Sequence, residues 1–196
     1  MNLELKEKII ESLKKIPGIS KKQANKIVVF FLDNKLQNTK ELFEDIIILK
    51  NETKICSQCL AYAKQEICDI CSDSKRNKKI FVVQDSLDIE KIESLDIEKG
   101  KYFVFSDSIN LKQIRNETLE KIDHLLKVVA KNEEIILALN TDLNGQIIMK
   151  YLEKRIRDEF KNKNVYQLSI GIPFGMAIES VDAISLKQAI LNKRKI

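Results

Sequence analysis

The sequence has no tryptophan, one histidine, two prolines and five glycines in 196 residues. It also lacks any run near the roughly 18–20 apolar residues needed to cross a membrane, which excludes a spanning helix. Its first residues, Met1-Asn2-Leu3-Glu4-Leu5-Lys6, form no apolar signal core and enter an amphipathic pattern directly. That predicts a cytosolic protein, where thiols stay reduced and cysteines serve metals in preference to disulfides. There is no Pro/Gly-rich linker, low-complexity tract or internal repeat, so neither a disordered chain nor a solenoid is expected. The lone histidine, His124, lies within an apolar helical pattern without a visible partner, and reads as structural. Scarce glycine and proline beside abundant Ile, Lys and Asn point to an AT-rich genome and carry no function.

What remains is ordinary for a soluble protein: 44% hydrophobic and 32% charged residues, enough for one large domain or two to three small ones. A net charge of +5 is too mild to identify a nucleic-acid partner alone. The charges are unevenly placed. Lys75-Arg76-Asn77-Lys78-Lys79 is a basic run, and Lys193-Arg194-Lys195 is basic. Between them, residues 85–98 hold six acids (Asp85, Asp88, Glu90, Glu93, Asp96, Glu98) against Lys91 alone. Such runs commonly form solvated faces.

The four cysteines are the sharpest signal. Cys56-x2-Cys59 and Cys68-x2-Cys71 stand eight residues apart, with no other cysteine in the chain. This is the spacing of a four-cysteine zinc ribbon. Four thiolates fill a tetrahedral zinc and leave no position for a reactive water, so the expected role is structural, with one ion per chain. An iron–sulfur cluster is the alternative.

The cluster divides two rhythms. Before it, apolar spacing predicts helices over 3–15, 21–32 and 39–51, with Ser20 and Thr39 as caps. After it, strands at 80–83, 102–105, 135–139 and 165–170 alternate with helices at 89–95, 111–131, 145–160 and 185–191. That alternation predicts a mainly parallel sheet with right-handed crossovers. Ile16-Pro17-Gly18-Ile19-Ser20 forms a turn between the first two helices, followed by Lys21, Lys22 and Lys26. Such a turn can offer backbone N–H groups and cations to phosphate, or be an ordinary helical hairpin with solvated lysines. Parallel sheets place ligands beyond the carboxyl ends of their strands. There the chain has Gln84 and Asp85, then Asn140-Thr141-Asp142-Leu143-Asn144-Gly145-Gln146. Amides contribute no charge, so the expected reading is polar loop ends without a Mg²⁺ site. Glu179 and Asp182, after the turn Gly171-Ile172-Pro173-Phe174-Gly175, read as loop caps.

In order and spacing these parts resemble the RecR family of bacterial recombinational repair. The residues that carry the resemblance are Ile16-Pro17-Gly18-Ile19, the cysteine quartet, Cys71-Ser72-Asp73-x-x-Arg76, Val82-Val83, Asp88 and Ile92-Glu93. They continue with Asn140-x-Asp142-x-Asn144-Gly145, Gly171-Ile172-Pro173-x-Gly175 and Glu179-x-x-Asp182. The resemblance implies an α+β chain in several parts: a helix-hairpin-helix domain over 1–53, a four-cysteine zinc finger over 54–76, a Toprim domain over 77–170, and a C-terminal oligomerisation segment over 171–196. It implies a non-enzymatic DNA clamp, a dimer or a ring-shaped tetramer, that works with RecO and in many bacteria RecF to load RecA on SSB-coated single strands. It puts zinc on Cys56, Cys59, Cys68 and Cys71. The family's DNA-contacting basic residues fall on Lys22 and Lys26, and the hairpin's own reading adds Lys21; together they would bind phosphates of single or double strands without sequence preference.

The chain departs from the Toprim pattern where chemistry would be done. Gln84 replaces the first glutamate, Asn140 and Asp142 replace the Asp-x-Asp pair, and Asn144-Gly145-Gln146 replaces Glu-Gly-Glu. The family's glycine-rich stretch after the second strand is missing at 106–115. The acidic stretch, represented by Asp85, Asp88, Glu90 and Glu93, is a candidate docking face for a basic partner such as RecO, read from charge alone. The rival expectation is a Toprim nuclease or primase-like phosphoryl transferase, with Asp142 indispensable.

Overall fold

A computed structural model describes residues 2–195. The chain divides into two compact units, Met1–Thr53 and Lys54–Ile196.

The first unit is helical: α1 (Leu3–Leu13), α2 (Lys21–Asp33) and α3 (Leu36–Glu52). Its core is small. Ile10 of α1 packs against Ala24 and Val28 of α2, with Leu13 and Ile19 beside them. Between α1 and α2 the chain reverses through Gly18 at φ +81, a conformation that costs glycine little and other residues about 1 kcal/mol or more. Ser20 then caps α2 in a reciprocal box with Gln23. The expected cap of α3 is corrected. Thr39 lies inside the first turn, and Lys35 precedes the helix without a side-chain cap bond. No residue of α3 is fully buried.

The second unit begins with the antiparallel pair β1 (Lys54–Ile55) and β2 (Tyr62–Ala63), then the one-turn α4 (Asp69–Ser72). A four-stranded parallel sheet follows: β3 (Lys79–Val83), β4 (Lys101–Val104), β5 (Glu134–Ala138) and β6 (Asn164–Gln167), in the order β4-β3-β5-β6. The connecting helices are α5 (Ser86–Glu93), α6 (Asn116–Ala130) and α7 (Leu143–Glu159), and α8 (Ala183–Leu191) comes last. The register Val82↔Phe103 and Val82↔Leu137 aligns the central hydrophobic runs.

Side-chain alternation gives the sheet two different faces. Ile80, Val82, Phe103, Ile135 and Leu137 point to α6 and α7, where Leu125, Val129, Ile148 and Leu152 complete one core. Phe81, Val83, Tyr102, Val104 and Ile136 point the other way. They are covered by Ile89 of α5 and by Cys56, Cys59 and Cys71. The cysteine loop therefore does the work of a covering layer for this sheet and shares its core.

Several boundaries differ from the sequence reading. α6 starts at Asn116, five residues later than expected, because Asn110 accepts from the Lys112 N–H and turns the chain first. α5 starts earlier, at Ser86, because Asp85 caps it. β6 ends at Gln167, not at residue 170. Among the described residues no helix is long and apolar enough to cross a membrane.

Candidate metal centre and nucleic-acid interface

The four cysteine sulfurs lie within 4.8 Å of one another, and Cys59 Sγ and Cys68 Sγ are 3.6 Å apart. A zinc–sulfur bond of about 2.3 Å sets sulfurs about 3.8 Å apart in a tetrahedron. The donor set and its spacing fit zinc. The loop is built to bring them there. Cys56 N–H donates to the Ala61 carbonyl at 2.8 Å and Leu60 N–H to the Cys56 carbonyl at 3.0 Å, closing the first knuckle. Cys68 caps α4, its sulfur accepting from the Cys71 N–H at 3.4 Å, and Cys68 N–H donates to Cys56 Sγ at 3.3 Å.

Electrostatics show what such a site needs. Burial pushes the Cys56 thiol up, but N–H donors from Cys68, Cys59 and Gln58 outweigh it and bring it down to about 7. The adjacent Cys71 sulfur and burial hold Cys59 far above the ordinary thiol range, and burial pushes Cys68 up to about 11. Four thiolates this close repel one another, and a dication among them removes the repulsion. Such an ion would hold the loop closed and supply no open coordination position.

The loop is tied to the sheet at two further points. Cys59 offers its carbonyl to the Val104 N–H at 2.8 Å, so the knuckle closes the open edge of β4. Arg76, after α4, makes two bonds to Glu93 (2.8 and 2.6 Å) and one to the Gly100 carbonyl (2.7 Å). Tyr102 donates to the same Glu93 carboxylate at 2.6 Å. The Arg76 guanidinium holds the Glu93 carboxyl below the usual carboxylate range, while burial and Glu93 push the Tyr102 hydroxyl up.

In the helical unit, Lys22, Asn25, Lys26 and Val29 line one shallow groove along α2. Their spacing puts them on a single helix face. Lys21 lies off this groove, its Nζ 3.9 Å from Glu7.

At the carboxyl ends of the strands the acids are engaged in local structure. Asp85 accepts from the Leu87 and Asp88 N–H groups, and Asp88 from the Gln84 and Asp85 N–H groups. Asp142 caps α7 through the Gly145 N–H at 2.7 Å. Gln84 is half-buried, Asn140 is exposed, and Gln146 donates to the Thr141 carbonyl. Of the docking-face acids, Glu93 is committed to Arg76 and Tyr102, whereas Asp85 and Glu90 are exposed. Asp182 caps α8, and Glu179 lies in a short 3-10 turn at Ile178–Ser180. His124 packs edge-on to Phe103 with ring centroids 5.4 Å apart, and burial and Lys127 lower its pKa.

Sequence reasoning missed Asp107. This buried carboxylate after β4 accepts from Thr118 and Lys121, which tie the loop to α6. Its partners lie 11 and 14 residues away, too far for a local pattern to reveal.

A family model described as "Toprim domain" matches residues 78–168, and one described as "RecR, C-terminal" matches residues 171–194. The chain is 35% identical over 188 residues to "Recombination protein RecR" of Mycoplasmopsis pulmonis, covering 96% of this chain and 97% of the relative. It is 30% identical over 193 residues to the Finegoldia magna protein of the same name, covering 97% and 96%. Against the Aquifex aeolicus protein of that name it is 34% identical over 188 residues, covering 94% and 89%. Likeness of this degree along nearly the whole length, joined to the four-sulfur centre and the parallel sheet, means that the chain belongs to the RecR family.

Proposed function

We propose that this protein is a non-enzymatic, homo-oligomeric DNA clamp of recombinational repair. It acts in the cytoplasm and at the nucleoid with RecO, and with RecF where present, to help load RecA on SSB-coated single strands. Its working parts are the hairpin (1–53), a zinc-bearing finger (54–76), the Toprim sheet (77–170) and the tail (171–196). The observation that carries this reading is the hairpin. A glycine turn and a capped helix leave Lys22 and Lys26 side by side on one exposed face. Cations on a rigid element bind phosphate without reading bases. Lys21, adjacent on the first turn, adds charge.

Two further observations support the scaffold reading. The quartet's donor set suits a structural zinc. The acids near the strand ends, Asp85, Asp88 and Asp142, spend their oxygens on helix N-termini. Oligomerisation is favoured by α3, which exposes Leu42, Phe43, Ile46, Ile47 and Leu49. Exposed apolar patches of this kind mark interaction surfaces, and a second copy of the chain is the occupant this reading assigns.

Fluorescence anisotropy of zinc-loaded protein on labelled single- and double-stranded DNA tests the reading. Wild type should bind both, with affinity falling steeply as salt rises. Lys22→Glu with Lys26→Glu should weaken binding by about tenfold or more and lower the salt slope by about one per lysine. Unchanged binding in the double variant removes the hairpin from the interface. Robust Mg²⁺-dependent cleavage or synthesis, abolished by Asp142→Ala, would replace the scaffold with an enzyme.

A further inference from the structure

A groove of about 500 Å³ runs between the cysteine loop and α5. Ala61, Tyr62 and Ile70 line one side, Leu87 and Ile89 the other, and the buried Tyr102 closes the base. The walls are fixed to each other, because the Tyr62 N–H donates to Ser86 Oγ at 3.1 Å. Tyr62 and Leu87 are 71% and 69% exposed at its rim, so their apolar surface is open to a ligand entering the cleft.

The charge on this groove is one-sided. Its lining includes the carboxylates of Asp85 and Glu90, the sulfur ligands Cys59 and Cys68, and no lysine or arginine; four thiolates around one dication leave that neighbouring centre negative as well. Three neighbours in the acidic stretch are ion-paired, Glu93 with Arg76, Asp96 with Lys99 and Glu98 with Lys79, and Asp88 accepts backbone N–H bonds. Among the described residues, Asp85 and Glu90 have no ion-pair partner, although the chain as a whole carries +5. Carboxylates at the mouth of an apolar cleft repel nucleic-acid phosphate. They complement a segment in which apolar side chains are bracketed by cations.

We propose that this groove docks a short segment of a partner protein in which bulky apolar side chains are flanked by lysine or arginine. The inference rests on the acidic docking face expected from the sequence and narrows it. Glu90 and the Asp85 carboxylate oxygen not used in capping α5 make the contact with Tyr62 and Leu87, whereas Asp88 and Glu93 hold α5 and Arg76 in place.

The test titrates zinc-loaded full-length protein with two fluorescein-labelled peptides. The probe carries a tryptophan–leucine pair between two Arg-Lys pairs. The control has the same charges with glycine and serine at the centre. The probe should bind saturably and about tenfold or more tighter than the control. Asp85→Asn, which keeps an N-cap acceptor, combined with Glu90→Lys should weaken the probe by about tenfold. Leu87→Ser should weaken it severalfold without restoring the control. Glu90→Gln, a neutral change at an exposed site, should lower probe affinity in the same direction if a multiple variant folds poorly. Equal binding of probe and control, or undiminished probe binding in the Asp85→Asn/Glu90→Lys and Glu90→Gln proteins, overturns the proposal. A change of oligomer mass in Leu87→Ser overturns it too, because the groove would then be covered by a second copy. DNA binding measured in the same variants separates the two readings. It should be unchanged, and its absence from wild type would count against the clamp alone.

Discussion

Glu93 accepts bonds from Arg76 and Tyr102 at once, and that pairing makes a pH-dependent contribution to stability. Its folded pKa is depressed, chiefly by Arg76. Its contribution is therefore fully present above the unfolded value of about 4.3 and is lost as pH falls through the folded value. Glu93→Gln should be less stable than wild type at pH 7, and the gap should narrow below about pH 4. Urea unfolding at both values measures this, and a gap that widens in acid would show that another group controls the site. At this scale the cysteines were legible, because two Cys-x2-Cys pairs at one spacing have few other uses. Ser20 was legible from its position before a helix. The Arg76–Glu93–Tyr102 cluster was not, since its members come from three segments up to 26 residues apart and meet only through the fold. Leu60 was not legible either. It holds φ 61, where glycine would be expected, because its side chain packs against both faces' cores.

The cysteine loop and strand β4 behave as one element. Val104 donates its N–H to Cys59, so the edge of the sheet depends on the knuckle. Structural zinc contributes on the order of 10 kcal/mol in isolated finger peptides. Chelation, or Cys71→Ser, should therefore speed amide exchange at Val104 while leaving Ile80 and Val82 in the central strand better protected. Equal loss at all three would mean that the whole sheet melts with the metal. α7 offers a second test. A Cβ on Gly145 would stand 1.9 Å from the Asn140 carbonyl oxygen, a backbone atom that cannot swing away. Gly145→Ala should destabilise by about 1–3 kcal/mol despite alanine's better helix propensity. A urea midpoint at or above that of wild type would contradict the packing described. Strands β3, β4 and β5 were readable within a residue because β-branched and aromatic runs announce buried parallel strands, whereas β6 ends three residues early and the two-residue β1 and β2 carry no such run. Helix starts were less so. Asp85 and Asn110 moved them through side-chain bonds to backbone, and the two acids of 85–88 read as surface charge although both belong to the capping box of α5.

At the scale of the molecule, the alternation of strand and helix after the cysteines fixed the sheet's class, and the family resemblance gave the order of parts. What the pattern alone did not reveal is that the cysteine loop covers one face of the sheet and completes its core. A local motif reports its ligands, while the surface it covers is decided by tertiary packing. The buried core of the helical unit is small, and no apolar side chain of α3 is buried in it, Leu42, Phe43 and Ile46 staying about half exposed, which is an expensive arrangement in water for a lone chain. The proposal of a multi-copy clamp on DNA belongs to this scale and is tested most directly by molecular mass in solution. Light scattering on zinc-loaded protein should give a dimer or tetramer of the 22.7 kDa chain, and the same multiple should persist with bound DNA. A stable 22.7 kDa monomer, with or without DNA, would contradict the account.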